Sequence, residues 1–98
     1  MTFIAKNIQV NGINVGYLDE GPANGLPVIF IHGFPFSKEM WNEQVSALSE
    51  THRVIAYDVR GHGESERGAA QFSIPQFADD LFFFMDALKI EKAILTGL

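Results

Sequence analysis

The chain has 98 residues, which suits one small domain, and its seven Lys and Arg residues against twelve Asp and Glu give a net charge of −5. An acidic chain without a basic cluster is a poor candidate for binding nucleic acid or an anionic membrane surface. The absence of cysteine excludes disulfides, a thiolate nucleophile and cysteine-ligated metals, and it fits the reducing cytoplasm, where we expect this protein. No apolar run reaches the about 18 residues that a membrane span needs, and we expect no signal peptide.

The first third of the chain predicts a hairpin followed by a buried strand. Two runs with alternating apolar residues, 3–10 and 13–18, flank Asn11 and Gly12, a dipeptide typical of two-residue hairpin turns. After a loop rich in Gly and Pro comes the unbroken apolar run 28–31. Such runs indicate a strand covered on both faces, as in a parallel sheet.

The remainder of the chain alternates helices with strands. The predicted elements are a helix over 37–48 with N-cap Ser37, a strand over 53–57, a helix opened by the capping-box pair Ser73 and Gln76, and a strand over 92–95. This order predicts an α/β fold in which an antiparallel hairpin precedes parallel strands joined by right-handed crossover helices.

The second predicted helix is apolar around most of its circumference. Phe82 and Phe83 lie off the main apolar stripe, which consists of Phe77, Leu81, Phe84 and Leu88. A helix of this kind is normally buried on several sides. Either it packs well within these residues, or polypeptide outside the 98 residues covers part of it.

The turn after the strand 28–31 could stabilise negative charge. Ligands of open parallel sheets bind at the carboxyl ends of the strands, where backbone N–H groups of a turn are unpaired. The Phe34 N–H is therefore a candidate oxyanion donor, with Gly33 allowing close approach of the backbone. The alternative is an ordinary strand-to-helix turn that contains a glycine for steric reasons.

The loop after the strand 53–57 contains Gly61 and Gly63, a spacing found in dinucleotide sites. That fingerprint requires a third glycine where Glu66 stands, and no helix begins directly after it, so we expect no nucleotide cofactor. Asp58 and Arg60 are predicted to form an ion pair that fixes this loop.

The three histidines are spaced too irregularly for a local metal motif, so we expect no metal. His52 is predicted to face solvent. His32, at the end of a buried strand, is predicted to be hydrogen-bonded in place rather than to carry a proton. His62 lies in the loop above the predicted sheet, where it could contact a ligand.

Three segments, in this order, resemble the N-terminal part of the α/β-hydrolase fold family. They are His32-Gly33-Phe34-Pro35 after a buried strand, Trp41 and Gln44 on the next helix, and Asp58-x-Arg60-Gly61-x-Gly63-x-Ser65 after the next strand. The resemblance implies that residues 1–98 are the N-terminal portion of a single domain. A following segment or a second chain would complete its mostly parallel sheet.

The resemblance also implies a Ser–acid–His triad with the nucleophile on a G-x-S-x-G elbow. Gly97 and Leu98 match the first two elbow positions, so the nucleophile is expected as the next residue, and the acid and base beyond it. Residues 1–98 alone are therefore predicted to be inactive. Phe34 matches the residue whose N–H forms half of the oxyanion hole. The other expected neighbours of the site are His32, Asp58, Arg60, Gly61 and His62 as structural residues, and Gly33, Pro35 and Phe36 at the substrate pocket.

The chemistry of the family is mixed, so alternatives remain open. A serine nucleophile implies hydrolysis of small-molecule carboxylic esters or related acyl compounds without a cofactor, whereas an aspartate nucleophile implies an epoxide hydrolase or dehalogenase. Leu98 favours serine, because the aspartate branches usually carry histidine just before the nucleophile. A non-catalytic binding protein of the same fold is the third interpretation.

Overall fold

A computed structural model of the chain describes residues 3–69 and 72–98. Within this part, strands and helices alternate in the predicted order. Their bounds are β1 Lys6–Val10, β2 Ile13–Glu20, β3 Val28–Ile31, α1 Asn42–Leu48, β4 Val54–Tyr57, α2 Ile74–Ala87 and β5 Ile94–Gly97, with a 3₁₀ helix Lys38–Trp41 leading into α1. None of the helices described is long and apolar enough to span a bilayer.

The five strands form one mixed sheet in the order β1–β2–β4–β3–β5. β2 runs antiparallel to β1 and β4, whereas β3 runs parallel to both of its neighbours, β4 and β5. Ile31 pairs with Tyr57 on one side and with Gly97 on the other, so the carboxyl ends of three strands meet at one edge. The predicted α/β class is confirmed.

The hairpin turns at Asn11 and Gly12, as predicted. Both residues adopt a positive φ, +49° and +84°, which matches the twist that a two-residue hairpin turn requires. Val10 then pairs with Ile13 across the turn.

Two apolar layers cover opposite faces of the sheet. Because side chains of a strand alternate between faces, β3 and β4 contribute to both layers. Ile29, Ile55 and Tyr57 join the layer on the α2 side, and Val28, Phe30, Val54 and Ala56 join the layer that includes Val45 of α1. Phe84 of α2 is 1% exposed and packs against the rings of Tyr17 and Tyr57. This coverage of both faces explains the unbroken apolar runs in the sequence.

One face of α2 stays apolar and uncovered within the described residues. Phe82 is 64% exposed and Phe83 is 43% exposed, in contrast to the buried Phe84. On the edge strand β5, Ile94 and Leu95 are also about half exposed. Of the two interpretations of this helix, the structure favours the one in which polypeptide outside the 98 residues covers it, because residues 3–69 and 72–98 leave it partly uncovered.

Several element boundaries differ from the sequence prediction: β2 extends to Glu20 rather than ending at residue 18, and β4 begins at Val54 rather than at residue 53. β1 begins at Lys6 rather than at residue 3, because the pairing with β2 begins there. β5 covers Ile94–Gly97 rather than 92–95, since the Ile94 N–H donates to the Pro27 carbonyl and sets the start of pairing with β3. The helix predicted over 37–48 begins as a 3₁₀ helix, and the Ser37 hydroxyl donates to Glu39 instead of capping it.

The predicted capping box of α2 is half formed. The Ser73 hydroxyl accepts the Gln76 N–H at 3.1 Å, as predicted. The Gln76 side chain, however, donates to Asp80 at 3.1 Å, because a buried carboxylate lies one turn further along the helix.

The predicted ion pair between Asp58 and Arg60 is wrong. Arg60 instead donates to both oxygens of Asp80 in α2, at 2.8 Å each, while Asp58 pairs with Lys38. The two side chains bind elements on different faces of the sheet, because Asp80 lies in α2 whereas Lys38 begins the 3₁₀ helix before α1. Arg60 lies in the loop that follows β4, called the β4 loop, and also donates to the Asn11 carbonyl. It therefore connects the hairpin, the β4 loop and α2.

We expect Asp80→Asn to lower the free energy of unfolding by about 3–5 kcal/mol, because it leaves the buried Arg60 without its counter-charge. Burial alone would raise the pKa of Asp80, but hydrogen bonds from Arg60, Asn11 and Gln76 outweigh burial and hold that pKa below its usual range. The carboxylate is therefore charged at neutral pH. Urea unfolding measures the loss, with the exposed Asp79→Asn as the matched control. Equal effects of the two substitutions would contradict the expectation.

Candidate active site

A cavity of about 450 Å³ opens at the sheet edge where β3, β4 and β5 end. This is the edge at which open parallel sheets bind their ligands. Its wall is mostly apolar and combines strand ends with side chains of α2. The wall includes the turn 32–34 after β3, together with Tyr57, Phe77, Leu81 and Leu98.

The turn 33–36 holds the Phe34 backbone at the cavity. The Phe36 N–H donates to the Gly33 carbonyl at 2.8 Å and closes the turn. Phe34 is 84% exposed, and its N–H makes no hydrogen bond to residues 3–69 or 72–98. An unpaired backbone donor beside a cavity is what the predicted oxyanion role requires. The role itself stays a prediction.

The end of β5 lies against the same turn. A Cβ atom added to Gly33 would lie 2.9 Å from the Leu98 carbonyl oxygen, so any side chain at this position would force the two segments apart. Gly97, one residue earlier, pairs with Ile31 at the end of β3. The fold therefore brings Gly97 and Leu98, the predicted start of the nucleophile elbow, beside the turn that contains Phe34.

His32 connects this turn to the loop after β4. Its buried ring accepts the Val59 N–H at Nε2, at 2.9 Å, which assigns the proton to Nδ1 for a hydrogen bond to the Gly33 carbonyl at 3.1 Å. Burial lowers the pKa of His32, and the hydrogen bond to Gly33 offsets this only in part. The ring is neutral and held by both nitrogens. The prediction that His32 is hydrogen-bonded in place is confirmed.

Asp58 is fully buried under the site and accepts three hydrogen bonds. Its Oδ1 accepts the Lys38 N–H at 2.7 Å, and its Oδ2 accepts Lys38 Nζ at 2.7 Å and the Glu64 N–H at 2.9 Å. The Ser65 hydroxyl donates to the Asp58 carbonyl at 2.6 Å. At Gly63, whose φ is +49°, a Cβ atom would collide with the Asp58 carboxylate, so the loop requires glycine there.

Lys38, which no motif in the sequence singles out, supplies the positive charge beside Asp58. Its Nζ is 0% exposed and also contacts Glu64 and Glu39, whose side chains are about half exposed. Burial alone would lower the pKa of Lys38, but hydrogen bonds to these three carboxylates outweigh burial and raise that pKa, so the ammonium stays charged. No local pattern signals this pairing, because Lys38 begins the 3₁₀ helix that follows β3, whereas Asp58 follows β4.

Arg60 and Gly61 also lie outside the cavity wall, in agreement with a structural role. Arg60 binds Asp80, and it donates to the Arg67 carbonyl as well. Gly61 has a φ of +78°, and the Phe72 ring occupies the space that a Cβ atom would need. Both residues therefore shape the loop rather than line the cavity.

His62, in contrast, lines the cavity. Its Nδ1 donates to the Arg60 carbonyl at 3.0 Å, and its ring packs edge-on against Phe34 with centroids 5.7 Å apart. Its Nε2 is buried and has no hydrogen-bond partner among the described residues. This nitrogen is therefore available for a hydrogen bond to a ligand in an otherwise mostly apolar wall. Within 3–69 and 72–98, no group of three or more His, Cys, Asp or Glu could hold a metal ion.

Pro35 and Phe36 were predicted at the pocket mouth. Both are exposed, and neither lines the cavity that the described residues form. The tight turn closed by Phe36 and Gly33 carries them past the end of β3. Their contact with a substrate stays a prediction.

The sequence did not predict the part of the cavity wall that α2 forms. Phe77 and Leu81 recur at helical spacing, which is equally typical of residues buried in a hydrophobic core.

Comparison with known proteins supports one family. A sequence model described as alpha/beta hydrolase fold matches residues 27–98. A non-heme chloroperoxidase of Streptomyces lividans is 40% identical over 88 residues, which cover 89% of this chain and 32% of the relative. An epoxide hydrolase 2 of Caenorhabditis elegans is 32% identical over 94 residues, which cover 94% of this chain and 26% of the relative.

A solved structure shows the same similarity. The enol-lactonase from Burkholderia xenovorans LB400 matches with a TM-score of 0.88 and 36% identity, over 95% of this chain and 36% of that one. The chain thus spans about a quarter to a third of the length of the curated relatives described above.

We expect His32 to make the stability of the protein fall as the pH drops below about 6.5, the usual pKa of histidine. Because burial lowers the pKa of His32 in the folded state, the unfolded chain binds the proton first. Stability is then lost as the pH falls through the lowered value. Urea unfolding at several pH values between about 8 and 5 measures this dependence.

His32→Ala should remove this component of the pH dependence. It should also lower stability at about pH 8 by about 1–3 kcal/mol, since the Val59 N–H is left buried without an acceptor. His52→Ala is the matched control, because His52 is exposed, as predicted. A His32→Ala protein with the wild-type pH dependence would contradict the assignment.

Proposed function

The chain belongs to the α/β-hydrolase fold family, and from that premise we propose that it is the N-terminal portion of a hydrolase of carboxylic esters or related acyl compounds. A complementary segment or second chain supplies the nucleophile, the acid and the catalytic histidine. Residues 1–98 together with that segment or chain form the assembled hydrolase. Similarity to an enol-lactonase supports an acyl substrate, because a lactone is a cyclic ester. A cytoplasmic location, and the lack of a cofactor, nucleic acid or membrane partner, belong to the same proposal.

The observation that carries the proposal is the Phe34 N–H, which has no partner among the described residues and lies beside the end of β5. In the proposed reaction, a serine that follows Leu98 loses its proton to histidine and attacks the carbonyl carbon of the ester. The negative charge then forms on the carbonyl oxygen, which accepts hydrogen bonds from the Phe34 N–H and from the residue after the nucleophile. The alcohol leaves with the proton of the histidine, and water releases the acid and regenerates serine.

The cavity wall favours an uncharged substrate with an apolar acyl group. Tyr57, Phe77 and Leu81 offer apolar surface that such a group would remove from water. His62 Nε2 lies in this wall and has no partner among the described residues, so a polar group of the substrate forms a hydrogen bond with it in the proposed complex.

An aspartate-nucleophile epoxide hydrolase or dehalogenase is the second candidate, favoured by the 32% identity to an epoxide hydrolase. Leu98 argues against it, because the family resemblance places histidine there in the aspartate branches. A non-catalytic binding protein of the same fold is the third candidate. Peptide mapping of the assembled hydrolase distinguishes them through the residue after Leu98: serine supports the proposal, aspartate the second candidate, and glycine or alanine the third.

Phe34→Pro removes the backbone donor, and we expect it to lower kcat of the assembled hydrolase about 100- to 1,000-fold, the usual cost of losing one oxyanion donor. Phe34→Ala is the matched control, because it keeps the N–H and changes only the cavity wall. Stopped-flow or steady-state hydrolysis of an activated ester measures both. Circular dichroism establishes that the two variants are folded. A folded Phe34→Pro protein with wild-type kcat would overturn the oxyanion assignment.

A further inference from the structure

Lys38 is a buried charge that the proposed reaction does not use. Its Nζ, which is 0% exposed, donates to one oxygen of Asp58, and its backbone N–H donates to the other, at 2.7 Å in each case. One residue thus binds both oxygens of a single buried carboxylate, through its main chain and its side chain. Ion pairs buried in this way add little net stability, because desolvation cancels much of the attraction. The pair does fix the position of Lys38 relative to the β4 loop.

The turn that contains Phe34 is attached at both ends to consecutive residues of that loop. At its upstream end, His32 accepts the Val59 N–H. At its downstream end, Lys38 binds Asp58. The direction of the Phe34 N–H, which lies between the two attachments, therefore depends on both.

We propose that Lys38 is a positioning residue whose ion pair with Asp58 fixes the downstream end of the turn and so orients the Phe34 N–H toward the substrate carbonyl oxygen. The inference rests on the proposed function and adds a residue to its oxyanion site. Lys38 lines no part of the cavity and acts through Phe34. Displacing a catalytic group by about 1 Å can cost about 100-fold in rate, so a loose turn would be slow even with the donor present.

Lys38→Met tests the proposal, because it keeps an unbranched side chain and removes the charge. We expect kcat of the assembled hydrolase for p-nitrophenyl butyrate to fall about 10- to 100-fold, with KM within about twofold of wild type, since an oxyanion donor acts mainly in the transition state. Lys6→Met, the same change at an exposed position of β1, should leave kcat unchanged. An unchanged kcat in Lys38→Met would overturn the inference.

Combining Lys38→Met with Phe34→Pro separates positioning from a general loss of structure. If Lys38 acts through the Phe34 N–H, the double variant is no slower than Phe34→Pro alone. Multiplied losses would overturn the role of Lys38. Wild-type kcat in Phe34→Pro would overturn the oxyanion role of Phe34, and no ester hydrolysis by the wild-type assembled hydrolase would overturn the proposed function itself. A loss in Phe34→Pro without a loss in Lys38→Met would overturn the role of Lys38 alone.

A paired variant keeps the test valid if Lys38→Met fails to fold. The single change leaves the Asp58 carboxylate buried without its counter-charge. Lys38→Met with Asp58→Asn removes both charges and keeps an amide oxygen for the backbone N–H of residue 38, while an amide NH2 replaces the oxygen that accepts Lys38 Nζ and the Glu64 N–H. The same fall in kcat at unchanged KM is expected, because the side-chain half of the attachment is lost. Wild-type kcat in this folded variant would overturn the inference.

Discussion

The carboxylate of Asp58 is the constraint on which the rest of the site depends. It follows β4 directly, lies fully buried, and accepts hydrogen bonds from the backbone and ammonium of Lys38 and from the Glu64 N–H. Through these bonds it joins the turn after β3 to the loop after β4. A buried carboxylate is costly unless its lone pairs are satisfied, and here both oxygens are, so the two segments are held in one arrangement. The cavity takes its shape from that arrangement.

Each face of the sheet contributes differently to the edge where the cavity opens. On one face, Arg60 and Asp80 join the β4 loop to α2, which places Phe77 and Leu81 in the cavity wall. On the other, the 3₁₀ helix before α1 brings Lys38 under the turn. The charges that hold the site are thus buried beneath it, while the cavity itself is lined mainly by apolar groups. An arrangement of this kind leaves backbone dipoles, rather than side-chain charges, to stabilise a developing oxyanion.

Local signals in the sequence were sufficient for the strands, the hairpin and the turn that contains Phe34. Asn11 and Gly12 specify a hairpin by their own conformational preferences, and the unbroken apolar runs specify a sheet covered on both faces. The partners of the buried charges could not be predicted in this way. Asp58 and Arg60 are close in sequence and look like a pair, yet each binds a residue on a different face of the sheet, because the approach of the helices decides which charges meet. The contribution of α2 to the cavity wall could not be predicted for a similar reason. An apolar stripe on a helix does not show whether its side chains pack in the core or line a cavity.

The role of the Phe34 N–H as an oxyanion donor is tested most directly by a crystal structure of the assembled hydrolase after reaction with a phosphonate ester. The phosphonyl oxygen of that adduct takes the place of the oxyanion. It is expected about 2.7–3.1 Å from the Phe34 nitrogen, with Lys38 still bound to Asp58 beneath the turn. A phosphonyl oxygen that lies away from the turn 33–36 and accepts its hydrogen bonds from other groups would contradict the role assigned to Phe34.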